Sequence, residues 1–236
     1  MSYNNFSIII PVYNERHNIE NLLSEINDSL KSHYSYEVIL VDDCSTDDSY
    51  NLIKQYDDGY NIRVFKNDSN NGQSYSIHKG IINAKNNTII TLDGDGQNNP
   101  KDISKLIKLY INTNTKLIGG IRKNRQDTLI KKLSSVIANK VRSNILQDNC
   151  IDTGCSLKIF DRDIFLSFPY FDGLHRFLPA LFRGYGYNTE FVNVSHRVRK
   201  YGESKYGTFD RLFRGIRDIF VVKKIIKQFK KNNESI

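Results

Sequence analysis

Asp93-Gly94-Asp95 sets two carboxylates one residue apart, directly after the apolar run Thr88–Leu92. A buried strand ending in Asp-x-Asp would present both carboxylates at the carboxyl edge of a sheet, where open α/β sheets bind ligands. Hard oxygen donors in that position suit Mg2+ or Mn2+ held jointly with a diphosphate. The same residues also favour an Asx-type turn, so the reading depends on what else converges there. Two further acidic motifs follow apolar runs. Pro11-Val12-Tyr13-Asn14-Glu15 closes Phe6–Val12, and Asp42-Asp43-Cys44-Ser45 closes Tyr36–Val41.

The elements that would carry these motifs alternate in type. Strands are expected at Phe6–Val12, Tyr36–Val41, Ile62–Phe65 and Thr88–Leu92, from short continuous apolar runs bounded by turn residues. Between them, helical spacing marks Asn18–Lys31 (Ile19, Leu22, Leu23, Ile26, Leu30), Asp47–Tyr56 and Gly72–Ala84, with Ser45 or Thr46 as a cap for the second. Alternation of this kind predicts right-handed βαβ units and a parallel sheet, which gathers the three acidic motifs on one rim. Beyond Pro100 the pattern loosens. Helices are expected at Ile103–Tyr110 and Leu129–Leu146, strands at Lys116–Ile121, within Asp152–Phe160 and at Tyr185–Val194, and a basic helix over Phe209–Lys231.

Composition narrows the class. The 236 residues allow one large α/β domain with a short appendage. Three cysteines, Cys44, Cys150 and Cys155, form no CxxC pair, which points to a reducing compartment and away from a zinc site. No signal peptide is visible and no apolar run approaches the length of a membrane span, so a cytoplasmic location is expected. The net charge of +8 is concentrated at the end, where 12 Lys or Arg between Arg197 and Lys231 face Glu203, Asp210 and Asp218. Such a segment suits an anionic membrane or a phosphorylated substrate. Nucleic acid is set aside, because no basic and aromatic interleaving accompanies it.

Taken together, the motifs resemble those of inverting family 2 glycosyltransferases with the GT-A fold. The similarity is to the polyprenyl-phosphate, dolichol-phosphate mannosyltransferase-like branch. Later segments carry the likeness along nearly the whole chain: Asp152-Thr153-Gly154-Cys155-Ser156-Leu157-Lys158, Gly173-Leu174-His175-Arg176-Phe177-Leu178-Pro179, and His196-Arg197-Val198-Arg199 with Gly202-Glu203-Ser204-Lys205-Tyr206-Gly207. The resemblance implies an α/β fold with a mixed, mainly parallel sheet flanked by helices. It implies a catalytic domain over 1–210 and a basic amphipathic helix over 211–236 that meets the membrane or a separate membrane subunit.

It also implies roles. Pro11, Tyr13, Glu15 and Asp43 would line the nucleoside pocket, Asp93 would lie by the ribose or sugar, and Asp95 with Gln97 would hold Mg2+ or Mn2+. Arg122 and Arg125, with Lys131, Lys132 and Ser134, resemble acceptor-phosphate ligands. Arg197, Arg199 and Lys205 resemble a loop that closes over the diphosphate. Asp93, Asp95, Arg122 and Arg199 would be the catalytic set. Gly96 stands where relatives often carry a larger apolar residue, so the likeness leaves the sugar open. The expected reaction moves a hexose or N-acetylhexosamine from a UDP- or, failing that, a GDP-sugar to a polyprenyl phosphate, on the cytoplasmic face of a membrane. The alternative is a sugar hydroxyl acceptor, which needs a carboxylate base such as Asp152. A nucleotidyltransferase would show a Gly-rich basic loop after the first strand, and Tyr13-Asn14-Glu15-Arg16-His17 is not one.

Overall fold

Strand β1, Asn5–Val12, lies inside a seven-stranded sheet, third from one edge. The computed structural model of the chain describes residues 5–123, 140–199, 201 and 208–233, with the side chains of the final helix from residue 215. Ile8, Ile9 and Ile10 of β1 are all fully buried. Successive strand residues face opposite sides, so burial of all three requires cover on both faces, which explains the unbroken apolar run.

The first half follows the alternating pattern. Helix α1 (Arg16–Leu30), β2 (Ser35–Asp42), α2 (Ser49–Lys54), β3 (Ile62–Lys66), α3 (Gln73–Ile82) and β4 (Thr88–Thr91) come in order. Helix α1 buries Ile19, Leu22, Leu23, Ile26 and Leu30, the stripe its spacing predicts. Strand β1 pairs in parallel with β2 and β4, and β2 with β3. The cap of α2 differs from expectation. The residue before the helix is Asp48, with no side-chain cap. Ser45 and Thr46 instead receive hydrogen bonds from Asn14 N and Asn14 Nδ2, both at 3.0 Å, which latches the loop after β1 to the loop after β2.

The second half is mixed. Helix α4 (Ile103–Asn112) leads to β5 (Leu117–Arg122), then β6 (Lys158–Asp161) and β7 (Thr189–Val194). Strand β6 inserts antiparallel between β4 and β5, giving the order β3-β2-β1-β4-β6-β5-β7. Strand β5 pairs in parallel with β7. Reversing β6 sends its first residue, Lys158, to the rim where the parallel strands end, opposite Thr91. Two short helices, α5 (Arg162–Leu166) and α6 (Leu178–Gly184), were not foreseen because each is too short for apolar periodicity to register. Of the long helix expected from Leu129, residues 140–146 are helical and 124–139 lie outside the described residues.

The final helix, α7 (Thr208–Asn233), packs one face on the domain. Val222 and Ile225 are buried in the same cluster as Phe165, Leu178, Leu181 and Phe182. Phe229 stacks on Tyr185 at 3.7 Å between ring centroids. Ile216 and Phe220 stay outside, 46% and 67% exposed. No helix among the described residues is long and apolar enough to cross a membrane.

Candidate functional site

The strand order reverses between β1 and β4, since β2 and β3 lie on one side of β1 and β4 on the other. Such a switch point leaves a crevice beyond the carboxyl ends of the strands. Tyr13–Glu15 follow β1, Asp43 follows β2, Asp93 and Asp95 follow β4, Arg122 ends β5, and Arg197 and Arg199 follow β7. The fold therefore brings these residues to one rim.

Each carboxylate on the rim has its own partners. Asp42 Oδ2 accepts a hydrogen bond from Ser45 N at 3.1 Å, which turns the loop. Asp43 is 4% exposed, and its oxygens accept hydrogen bonds from Asn67 Nδ2 (2.8 Å), Asn71 N (2.9 Å) and Gly72 N (2.8 Å). It thus ties the end of β2 to the start of α3. Glu15 accepts Asn18 Nδ2 at 2.7 Å and pairs with Arg199. Its own backbone N donates to Ser49 Oγ at 2.9 Å. Arg197 reaches past the rim to Glu25 (2.6 Å) and Asn99 (2.7 Å). The two arginines therefore meet different carboxylates of the α1 segment. Tyr13 is partly exposed beside Pro11.

Asp93 is under the greatest strain. Burial and the neighbouring Asp95 push its carboxyl up to about 6, against a smaller opposing pull from Ser156, Lys158 and Arg122. Gln73 Nε2 donates to its Oδ1 at 2.7 Å. Asp95 Oδ1 accepts Gln97 N at 3.0 Å. Gln97 Nε2 stands 3.5 Å from His196 Nε2 and donates to Arg197 O at 3.3 Å. Among the described residues no group of three or more His, Cys, Asp or Glu side chains is assembled around a single point. The carboxylate of Asp95 and the amide oxygen of Gln97 are hard donors of the kind Mg2+ and Mn2+ take together with phosphate oxygens and water. The mutual repulsion of Asp93 and Asp95 is what such a cation would relieve. Asp95 and Gln97 would hold it, with the His196 ring at hand.

Arg122 is committed elsewhere on the rim. Its backbone N and Nε donate to Asp152 Oδ2 (3.0 and 2.8 Å), and its Nη2 donates to Asp152 Oδ1 (2.7 Å). Gly154 makes room, because a Cβ there would lie 2.8 Å from Arg122 Nη2. Lys158 is buried beneath this loop, 3% exposed, and its Nζ donates to Cys155 O. Burial pushes its ammonium down, while nearby Asp93 and Asp152 oppose that shift. Cys155 packs inside, and burial raises its thiol to about 11, so the unreactive thiol form is favoured.

His175 accompanies the site from behind. Its Nδ1 lies 2.6 Å from Ser74 Oγ, and burial lowers its imidazole to about 3, so the ring is neutral. Arg176 pairs with Asp218 of α7 at 2.8 Å. Arg125, Lys131, Lys132, Ser134 and Lys205 lie outside the described residues. Gln73, Lys158, Ser156 and His196 received no role from the sequence. Gln73 opens α3 with no motif of its own, and Lys158 reads as an ordinary strand-edge lysine until β6 is known to be reversed.

Known proteins bear on this geometry. The profile of the family described as "Glycosyl transferase family 2" matches residues 7–167. A dodecaprenyl-phosphate galacturonate synthase of Rhizobium johnstonii is 34% identical over 222 residues, 92% of this chain and 65% of that protein. An undecaprenyl-phosphate 4-deoxy-4-formamido-L-arabinose transferase of Aeromonas hydrophila is 34% identical over 206 residues, 85% of this chain and 62% of that protein. The chain spans a little under two thirds of the length of these relatives. A glucosyl-3-phosphoglycerate synthase of Mycobacterium tuberculosis, solved with Mn2+, UDP and phosphoglyceric acid, superposes with a TM-score of 0.70 at 15% identity, covering 93% of this chain and 77% of its own. That likeness shows the fold, which is the GT-A arrangement expected from the motifs.

The strain at Asp93 has a measurable consequence. Near pH 4 the carboxyl is largely protonated in the folded chain, so its burial costs little; above about pH 6 the folded protein must ionise a desolvated group. Its contribution to stability therefore falls as pH rises through this window, by on the order of 2–3 kcal/mol. Asp93→Asn keeps an acceptor for Gln73 and removes the charge. In EDTA it should melt several degrees higher than the wild type at pH 8, with the gain vanishing near pH 4. An unchanged melting temperature at pH 8 would mean that Lys158 and Arg122 already compensate the charge.

Proposed function

Because this chain belongs to glycosyl transferase family 2, we propose that it moves a hexose or N-acetylhexosamine from a nucleoside-diphosphate sugar to a polyprenyl phosphate, inverting the anomeric carbon. One observation carries the choice of acceptor: both oxygens of Asp152 are taken by Arg122. A hydroxyl acceptor needs a free carboxylate to remove its proton, whereas a phosphate arrives ionised and needs only cations and positioning. The relatives named for dodecaprenyl- and undecaprenyl-phosphate sugar transfer support the same reading.

In this account Pro11, Tyr13, Glu15 and Asp43 receive the nucleoside, and Asp93 lies by the ribose or sugar. Asp95 and Gln97 hold the divalent cation, which would offset charge developing on the departing diphosphate. Arg197 and Arg199, which follow β7, would stabilise that diphosphate together with Lys205. Arg122, held in place by Asp152, would with Arg125, Lys132 and Ser134 orient the acceptor phosphate for attack on the anomeric carbon. UDP is favoured over GDP. A second reading, transfer to a sugar hydroxyl, draws on Asp93, whose raised carboxyl falls in the range of a general base.

The assay incubates the protein with a panel of UDP- and GDP-sugars, Mn2+ or Mg2+, and either a short polyprenyl phosphate or an oligosaccharide. Nucleoside diphosphate release that requires the polyprenyl phosphate is the expected result. Release only with the oligosaccharide would transfer the case to the second reading.

The catalytic domain, 1–210, would meet its lipid through the helical appendage, 211–236, on the cytoplasmic face of the membrane. Exposed Ile216 and Phe220 lie on the same helix as exposed Lys223, Lys224, Lys227, Lys230 and Lys231. Apolar side chains flanked by lysines draw a helix to an anionic bilayer, at about 1 kcal/mol per nearby lysine. A separately encoded membrane subunit is the other partner of matching chemistry. The double substitution Ile216→Asp, Phe220→Asp should cut co-sedimentation with anionic vesicles while leaving the melting temperature unchanged, since neither side chain is in the core. Undiminished sedimentation would exclude this face as the lipid contact.

A further inference from the structure

The final helix reaches the donor side of the rim through one buried carboxylate. Asp218 is 1% exposed and shares the inward side of α7 with Val222 and Ile225. Arg176 Nη2 donates to its Oδ2 at 2.8 Å, and Arg217 Nη2 lies 3.3 Å from its Oδ1. Arg176 closes the helical turn Leu174–Arg176, which Gly173 opens at φ +104°. A Cβ on Gly173 would lie 2.7 Å from Asp218 Oδ2 and 2.9 Å from Arg176 Nη2, so the ion pair rests directly on the backbone of that turn.

The turn in turn grips α3. Gly173 N donates to Ser74 Oγ at 2.8 Å, and His175 Nδ1 lies 2.6 Å from the same hydroxyl. Ser74 is the second residue of α3. The residue before it, Gln73, holds Asp93, and the backbone N–H of Gly72 holds Asp43. A short chain of hydrogen bonds and adjacent residues therefore runs from Asp218 to both Asp43 and Asp93.

We propose that Asp218 is a positioning residue for the nucleotide-sugar half of the site. It touches no donor group itself. It fixes Arg176 and the Gly173 turn, the turn fixes Ser74, and Ser74 sets the start of α3, from which Gln73 and Gly72 orient the two carboxylates. The proposal rests on the glycosyltransferase reading for the roles of Asp43 and Asp93. Helix α7 has other anchors, since Val222 and Ile225 are buried and Phe229 stacks on Tyr185. Loss of the carboxylate charge should therefore loosen the turn without undocking the helix.

The test is Asp218→Asn, with Asp218→Glu and Arg176→Gln beside it. Asp218→Asn should retain a cooperative melt while hydrogen exchange at amides 71–76 quickens. The donor KM should rise about 10-fold, the size of one lost charge-assisted hydrogen bond, with kcat and the acceptor KM little changed. Asp218→Glu should recover part of the donor KM, and Arg176→Gln should reproduce the loss. Unchanged exchange at 71–76, or quickened exchange with a wild-type donor KM, overturns the proposal. Unfolding of both Asp218→Asn and Arg176→Gln also overturns it, since Asp218 would then be a structural clamp. Exchange needs no substrate, so a wild-type protein inactive with every donor sinks the functional reading separately from the positioning chain.

Discussion

Asp93 and Asp95 stand one residue apart at the end of a four-residue strand that is buried on both faces. Burial and the neighbouring Asp95 oppose the charge of Asp93, whose carboxyl is held near 6. Much of the rim follows from that constraint. Strand β6 runs backwards and so delivers Lys158 to the end of β4, beside the carboxylates instead of at the far edge. The loop before it carries Asp152, which fixes Arg122 in a bidentate clasp. Gln73 comes from the start of α3 to take one oxygen of Asp93. Lys158 and Arg122 pull against the repulsion, and Asp93 stays raised all the same; a divalent cation held by Asp95 and Gln97, as proposed, would relieve it.

The positive charges are spread for a different reason. In the proposed reaction negative charge develops at the leaving diphosphate and is already present on the acceptor phosphate, so cations must be in place beforehand. Arg122 is clasped by Asp152, while Arg197 and Arg199 belong to the segment after β7 and are met by Glu25 and Glu15. Both of these carboxylates come from α1 or the residue before it. The residues directly after β7 are thereby tied to the start and the body of α1.

The half of the chain before residue 100 was readable in the sequence because its signals are local. Unbroken apolar runs named β1, β2 and β4, and the stripe from Ile19 to Leu30 named α1. The parallel rule then placed Glu15, Asp43 and Asp93 on one edge. What escaped depended on contacts distant in sequence. Nothing near Lys158 announces that its strand runs antiparallel, and only that reversal turns an ordinary lysine into a buried cation. Ser45 and Thr46 read as caps because their types favour caps, yet tertiary contact with Asn14 claimed them. Arg176 sits in a quoted motif, but its partner Asp218 is 42 residues away on another helix. The apolar residues of α7 were legible as a stripe, whereas the division between Val222 and Ile225 inside and Ile216 and Phe220 outside required the surface they pack against.

The central claim is that Asp95 and Gln97, beside Asp93, bind a divalent cation only together with a nucleoside diphosphate. Calorimetric titration of Mn2+ into the protein, with and without UDP, measures this directly. The account predicts weak binding of Mn2+ alone and of UDP in EDTA, and strong binding when both are present, with each raising the affinity of the other by the same factor. Tight Mn2+ binding that UDP does not alter, or UDP binding indifferent to EDTA, would contradict it.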